Sequence, residues 1–117
     1  MREQVIQTVE SYIDAVRRHD VAALPLHSGI VFEGPLNTVR GIPEFEEGLI
    51  PFYAILKSIA VLHLTADDTT CAAVLEIDTI FGVIPFLEYF HVADGKIVSI
   101  RAYYDPRPIL EGRARAS

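Results

Sequence analysis

The sequence predicts an α+β fold, with helices first and an antiparallel meander after them. Three observations predict it. Before Ser58, apolar residues recur at helical spacing in two segments. From Ser58 onward, runs rich in branched and aromatic residues take over. Short turn signals separate those runs: Asp67-Asp68, Gly82 and Asp94-Gly95.

In the first helix, Val5, Ile6, Val9, Tyr12, Ile13 and Val16 fall on one face, and Gln4, Gln7, Glu10, Asp14, Arg17 and Arg18 mainly on the other. His19-Asp20 ends this pattern, and Asp20 suits the N-cap of a short second helix through Val21–Leu24. Pro25 and Gly29 close that region, and Ile30–Glu33 reads as a short strand running into Gly34-Pro35. The stretch Val39–Phe45 has the form of a loop feeding a helix. Pro43 fits its first position, and Glu44, Glu46 and Glu47 sit where the helix dipole favours negative charge. Phe45, Leu49, Phe52, Tyr53 and Leu56 continue an apolar face, and Pro51 predicts a kink or break within it. Four strands follow: Ile59–Ala66, Ala72–Phe81, Ile84–Val92 and Ile97–Tyr104. Asp94-Gly95 is the strongest hairpin signal, because glycine tolerates positive φ. The tail after Pro106 is expected to be frayed or draped over the surface.

A chain of 117 residues, half of them hydrophobic, suits one packed domain over 1–117. Ten basic against sixteen acidic side chains give a net charge of −6, with five basic and eight acidic in each of residues 1–60 and 61–117. No basic stripe exists for nucleic acid, and no apolar stretch approaches the ~18 residues a membrane span needs. The single cysteine, Cys71, lies in an apolar run and reads as a small buried hydrophobe in a reducing, cytoplasmic setting. No signal-peptide pattern opens the chain. His19, His27, His63 and His91 share no metal-ligand spacing, and no phosphate-cradling loop or nucleophile elbow is present, so neither a metal nor a cofactor is expected.

Strand alternation splits Ala72–Phe81 into one face with Val74, Glu76, Asp78 and Ile80 and another with Ala73, Leu75, Ile77, Thr79 and Phe81. In Ile84–Val92, Ile84, Phe86, Glu88 and Phe90 oppose Pro85, Leu87, Tyr89 and His91. Neither face is polar throughout, so both must be covered, one by the helices and the other by a partner or another sheet. A homodimer through the outer sheet face is the expectation.

The motifs Phe32-Glu33-Gly34-Pro35, Arg40-Gly41, Asp94-Gly95-Lys96-Ile97 and Arg101-Ala102-Tyr103-Tyr104-Asp105, in this order of elements, carry a resemblance. From Tyr12 to Asp105 the chain resembles the nuclear-transport-factor-2-like superfamily, and within it the SnoaL-like group, near limonene epoxide hydrolases, ketosteroid isomerases and polyketide cyclase-like proteins. The resemblance implies a curved antiparallel sheet wrapped around the helices to form a cone with a deep apolar pocket, and a dimer through the sheet. Tyr12 matches the first-helix tyrosine that donates a hydrogen bond in ketosteroid isomerases. Glu88 falls near their acidic oxyanion partner and Tyr104 near a pocket aromatic, but Gly34 stands where their general base would lie. Against limonene epoxide hydrolases, Asp78 matches one catalytic aspartate. Their nearby arginine is replaced by Glu76, their second aspartate by Ala102, and their strand tyrosine and asparagine by Phe32 and Gly34. Neither constellation is complete.

Glu76 and Asp78 lie two apart on one strand, about 6–7 Å apart at the backbone, and Glu88 lies on the next. In an apolar cavity, desolvation and mutual repulsion would hold one such carboxyl protonated near neutrality. The expected catalytic set is therefore Asp78 as general base, with Tyr12 or protonated Glu88 stabilising a developing enolate or alkoxide. Glu76, Phe32, Phe86, Phe90, Ala102 and Tyr104 are the expected pocket walls. Two functions remain open: a cofactor-free isomerase, cyclase or hydrolase acting on a small hydrophobic oxygenated molecule, or a non-catalytic ligand-binding or dimeric scaffold domain. A one-residue slip of strand register would invert every inward and outward assignment.

Overall fold

The computed structural model describes residues 1–116; Ser117, the last residue of the expected domain, lies outside the described residues. The chain runs α1 (Arg2–Arg17), a 3₁₀ turn (Val21–Ala23), β1 (Leu26–Glu33), β2 (Thr38–Arg40), α2 (Ile42–Ile55), β3 (Leu56–Ala66), β4 (Thr70–Thr79), β5 (Gly82–Ala93), β6 (Lys96–Tyr103) and α3 (Arg107–Ala116). The strands form one curved, open sheet in the order β2-β1-β6-β5-β4-β3. The expected meander β3–β6 is antiparallel throughout, and β1 pairs antiparallel with β2. β1 and β6 run parallel, so the sheet is mixed. A parallel neighbour requires a long crossover, and everything from β2 to β5 serves as one.

α1 buries Val5, Val9, Tyr12, Ile13 and Val16 along one stripe against the meander strands. Its end is closed by backbone bonds from Asp20 N–H to Ala15 O (2.9 Å) and from His19 N–H to Val16 O (3.1 Å). His19 adopts φ +56° in this closure, a position that usually selects glycine. Its ring stacks on Tyr53 at 4.1 Å, a contact glycine would lack. Asp20 does not cap the following turn with its side chain; its carboxylate accepts from Arg18 instead. Arg17 reaches the open edge of β3, where its guanidinium donates to Ile59 O at 2.8 and 3.1 Å.

α2 does not break at Pro51. The proline removes the N–H that would bond the carbonyl of Glu47, and Glu47 is exposed, so water can serve that carbonyl. The stretch read as loop before α2 contains β2, a three-residue edge strand too short for any periodicity to reveal. The turns follow their signals. Asp94 and Gly95 both take positive φ (52° and 73°), as a two-residue hairpin of matching twist requires. Asp67 Oδ1 accepts from the Thr69 and Thr70 amides and the Thr70 hydroxyl.

Beyond β6, where a frayed or draped tail is expected, residues 107–116 form a helix. Asp105 starts it by accepting from the Arg107 amide at 3.0 Å, and Ile109 is buried beneath it. Gly112 allows α3 to lie on the Phe81 ring: a Cβ at that position would come under 3.0 Å from it.

On the concave face, Leu75 and Ile77 of β4 and Ile84, Phe86 and Phe90 of β5 are buried with the α1 stripe. Each such side chain contributes roughly 1.5–3 kcal/mol when fully withdrawn from water. Cys71 is buried here as well, and burial pushes its thiol up to about 11. Among the described residues, no helix is long and apolar enough to cross a membrane.

Candidate functional site

Between the helices and the concave face lies a cavity of about 420 Å³. That size falls within the range of small-ligand sites. α1 supplies Tyr12, Ile13 and Val16; α2 supplies Phe45, Leu49 and Phe52; β1 supplies Phe32. β4 and β5 form the back with Leu75, Ile77, Phe86 and Glu88, while Tyr104, Ile109, Leu110 and Arg113 close the side toward α3. The walls are predominantly apolar.

Glu88 is the one carboxyl-bearing side chain in that lining among the described residues. Its place follows from the alternation of β5, whose residues are buried and exposed in turn from Ile84 to Val92. Its cross-strand neighbours in register are Ala73 and Ala102, both buried. Two alanines beside it leave the carboxyl standing clear of the sheet with space above. No hydrogen bond or ion pair to this carboxyl is made among the described residues. Burial alone therefore pushes its pKa up from 4.5 to about 7.

Tyr12 comes from α1 and is wedged edge-on between Phe45 (6.3 Å) and Phe90 (5.6 Å). Burial first, and then the charge of Glu88, raise its pKa well above the ordinary tyrosine value. Tyr12 stays a neutral donor at any physiological pH, in the field of Glu88. Tyr104 stacks on Phe86 at 4.1 Å, and its hydroxyl feels both Glu88 and Arg113. Burial raises its pKa, with Glu88 adding to the rise and Arg113 opposing it. Phe32 packs edge-on to Phe45 at 6.1 Å.

The expected set is thus brought together only in part. Tyr12, Glu88, Phe32, Phe86 and Tyr104 share the cavity. Asp78 and Glu76 do not: they project from the convex face of β4, because the concave face is taken by Leu75, Ile77 and Thr79. Asp78 there is half-buried and lies 3.9 Å from Lys57 in an ion pair at the surface, and Glu76 is exposed. Placing Asp78 as the base of an enclosed site is therefore corrected. Phe90 is fully buried and supports Tyr12 from below without lining the cavity, and Ala102 lines a shallow groove beside Gly34 and Pro35. The α3 residues Ile109, Leu110 and Arg113 were not anticipated from the sequence. Among the described residues no three His, Cys, Asp or Glu side chains gather as a metal site.

Residues 9–100 match the family model of the SnoaL-like domain. Among solved structures, the chain is similar to a Kribbella flavida protein at 27% identity, with a TM-score of 0.89 over 96% of this chain and 95% of that one. An LEH-like epoxide hydrolase of M. tuberculosis aligns at 20% identity and TM-score 0.80, covering 97% of this chain and 92% of that one. A de novo designed protein with a curved β-sheet aligns at 16% identity and TM-score 0.81, over 100% and 99%. The last two likenesses concern the fold alone, which is the NTF2-like α+β cone. A search of curated proteins found no match.

Proposed function

The chain belongs to the SnoaL-like domain family, and on that premise we propose that its cavity carries out cofactor-free proton transfer on a small apolar oxygenated molecule. The observation that carries this proposal is a buried carboxyl with a pKa of about 7 facing an apolar cavity beside a neutral tyrosine. A carboxyl poised at that value is present in both forms near neutrality, which general acid–base exchange requires. In the proposed step, ionised Glu88 removes a proton from the carbon next to a substrate carbonyl. The electron pair moves into the C–O bond, and Tyr12 donates a hydrogen bond to the resulting enolate oxygen. Protonated Glu88 then returns the proton to the same or a conjugated carbon, so atoms and charge balance without a co-reactant. Glu88 takes the role the sequence had suggested for Asp78.

The test is solvent-deuterium exchange into 2-tetralone, an apolar ketone with acidic α-protons, followed by NMR. Glu88→Gln is expected to slow enzyme-dependent exchange by about 100-fold or more, while Asp78→Asn exchanges as the wild type does. Equal exchange in Glu88→Gln and wild type would remove the catalytic proposal and leave a ligand-binding module.

We also propose that two copies pair through the convex sheet face. Val74, Leu87 and Tyr103 lie in register across β4, β5 and β6 and all face outward, with Tyr89 exposed beside them. Such a row of large apolar side chains on a sheet is a natural surface for a second copy.

A further inference from the structure

We infer that the ligand of this cavity is an apolar carboxylate or similar anion whose charged end is held at the mouth by Arg113. The inference rests on the cavity being a ligand site, as proposed above, and adds the class of ligand.

Ile109 and Leu110 of α3 line the cavity, and Gly112 seats the helix against Phe81, so this short helix forms part of the wall. Arg113 follows Ile109 by four residues and therefore comes round on the same side one turn later. It is exposed, yet it lines the cavity, which places the guanidinium at the opening rather than in the depth. Among the described residues no other lysine or arginine lines the cavity. The neighbouring cation on the helix, Arg107, is occupied by Asp105 at 2.7 Å. Arg113 has no carboxylate partner among the described residues.

The cavity therefore holds a buried polar pair and an exposed cation in an otherwise mainly apolar lining. Glu88 and Tyr12 are buried in it, Arg113 is exposed, and Tyr104 senses both charges from the wall. The phenyl and aliphatic walls between them accept hydrocarbon. At the buried Glu88 end an anion would lose its hydration with no cation to meet it, and any ionised fraction of Glu88 would repel it; a chain with net charge −6 also repels anions at long range. A guanidinium without a carboxylate partner among the described residues offers a planar, two-pronged donor to a carboxylate at this opening. A molecule so held would place its uncharged oxygen, at the far end, against Glu88 and Tyr12.

The experiment compares two probes of the same shape, 4-phenylbutyrate and 4-phenylbutan-1-ol, by calorimetric titration at about pH 6, where Glu88 is mostly protonated. Wild-type protein is expected to bind the carboxylate about tenfold more tightly than the alcohol. Arg113→Gln is expected to erase that preference while binding the alcohol as before, and Arg113→Lys to retain part of it. Equal binding of both probes to the wild type, or a preference that survives in Arg113→Gln, would overturn the inference and leave the cavity as a ligand site. Loss of both probes in Arg113→Gln and Arg113→Lys alike would make Arg113 a support of α3 and overturn it as well. Failure of both probes to bind wild-type protein would overturn the ligand-site proposal and this inference with it.

Discussion

Glu88 is stranded by its neighbours. Phe86 and Phe90 flank it along β5, alanines flank it across the sheet, and among the described residues no donor compensates the charge it would carry. The same fact that tunes its chemistry costs stability. Between about pH 4.5 and about pH 7 the unfolded chain has released this proton while the folded chain keeps it. The folded state binds more protons there, so stability falls as pH rises through that window and levels off above it. At about 1.4 kcal/mol per pH unit, the whole loss amounts to about 3 kcal/mol. Urea unfolding at about pH 5 and about pH 8 is expected to show this decline in wild type and its absence in Glu88→Gln. An identical decline in both would assign it to other groups. The sequence already held the signal that separates Glu88 from Asp78. The β4 face with Leu75 and Ile77 bears no charge at all, whereas Asp78 shares its face with Glu76. A concave, helix-covered side selects the uncharged face, and alternation alone, without that comparison, does not say which face is covered.

The helices differ in how plainly they were written. α1 carries a long apolar stripe and is legible from end to end, and the hairpins at Asp67 and Asp94-Gly95 follow from turn chemistry. α3 offers only Ile109 and Leu110 as apolar contacts in a segment with two prolines, a glycine and three arginines, so no periodicity marks it. Its formation depends on the Asp105 cap and on the seat that Phe81 provides, and the second of these is a tertiary contact. β2 is likewise a product of pairing with β1 rather than of its own three residues. The seat at Gly112 is testable. Gly112→Ala raises helix propensity, yet its methyl group collides with the Phe81 ring, and the collision is expected to dominate. The variant should lose about 1–3 kcal/mol and should lose amide protection in α3 ahead of the sheet, as read by hydrogen exchange. An unchanged or raised Tm with α3 protection intact would show that Phe81 does not seat the helix.

At the scale of the molecule, a sheet with one parallel and otherwise antiparallel pairing wraps its concave face around α1 and α2, leaving the convex face bare. The apolar character of both faces was visible in the alternation of β4 and β5, and the resemblance supplied the cone that the alternation could not. A stable pair of copies needs roughly 1,200–2,000 Å² of total buried surface, centred on a few large side chains. Leu87 stands in the middle of the outward row, between Val74 and Tyr103. Leu87→Lys is expected to convert a dimer to a monomer in sedimentation equilibrium while leaving the cavity and its ligand affinity in place. A monomeric wild type at about 0.1 mM would contradict pairing through this face.

Proton transfer in this cavity depends most on the state of one proton. Site-resolved carbon NMR of the Glu88 carboxyl across a pH series reads it directly, without knowledge of any substrate. A midpoint of about 7 is the predicted result. A midpoint near the ordinary 4.5 would mean that water or a donor reaches this carboxyl freely, and the proton-transfer proposal would then have no physical basis.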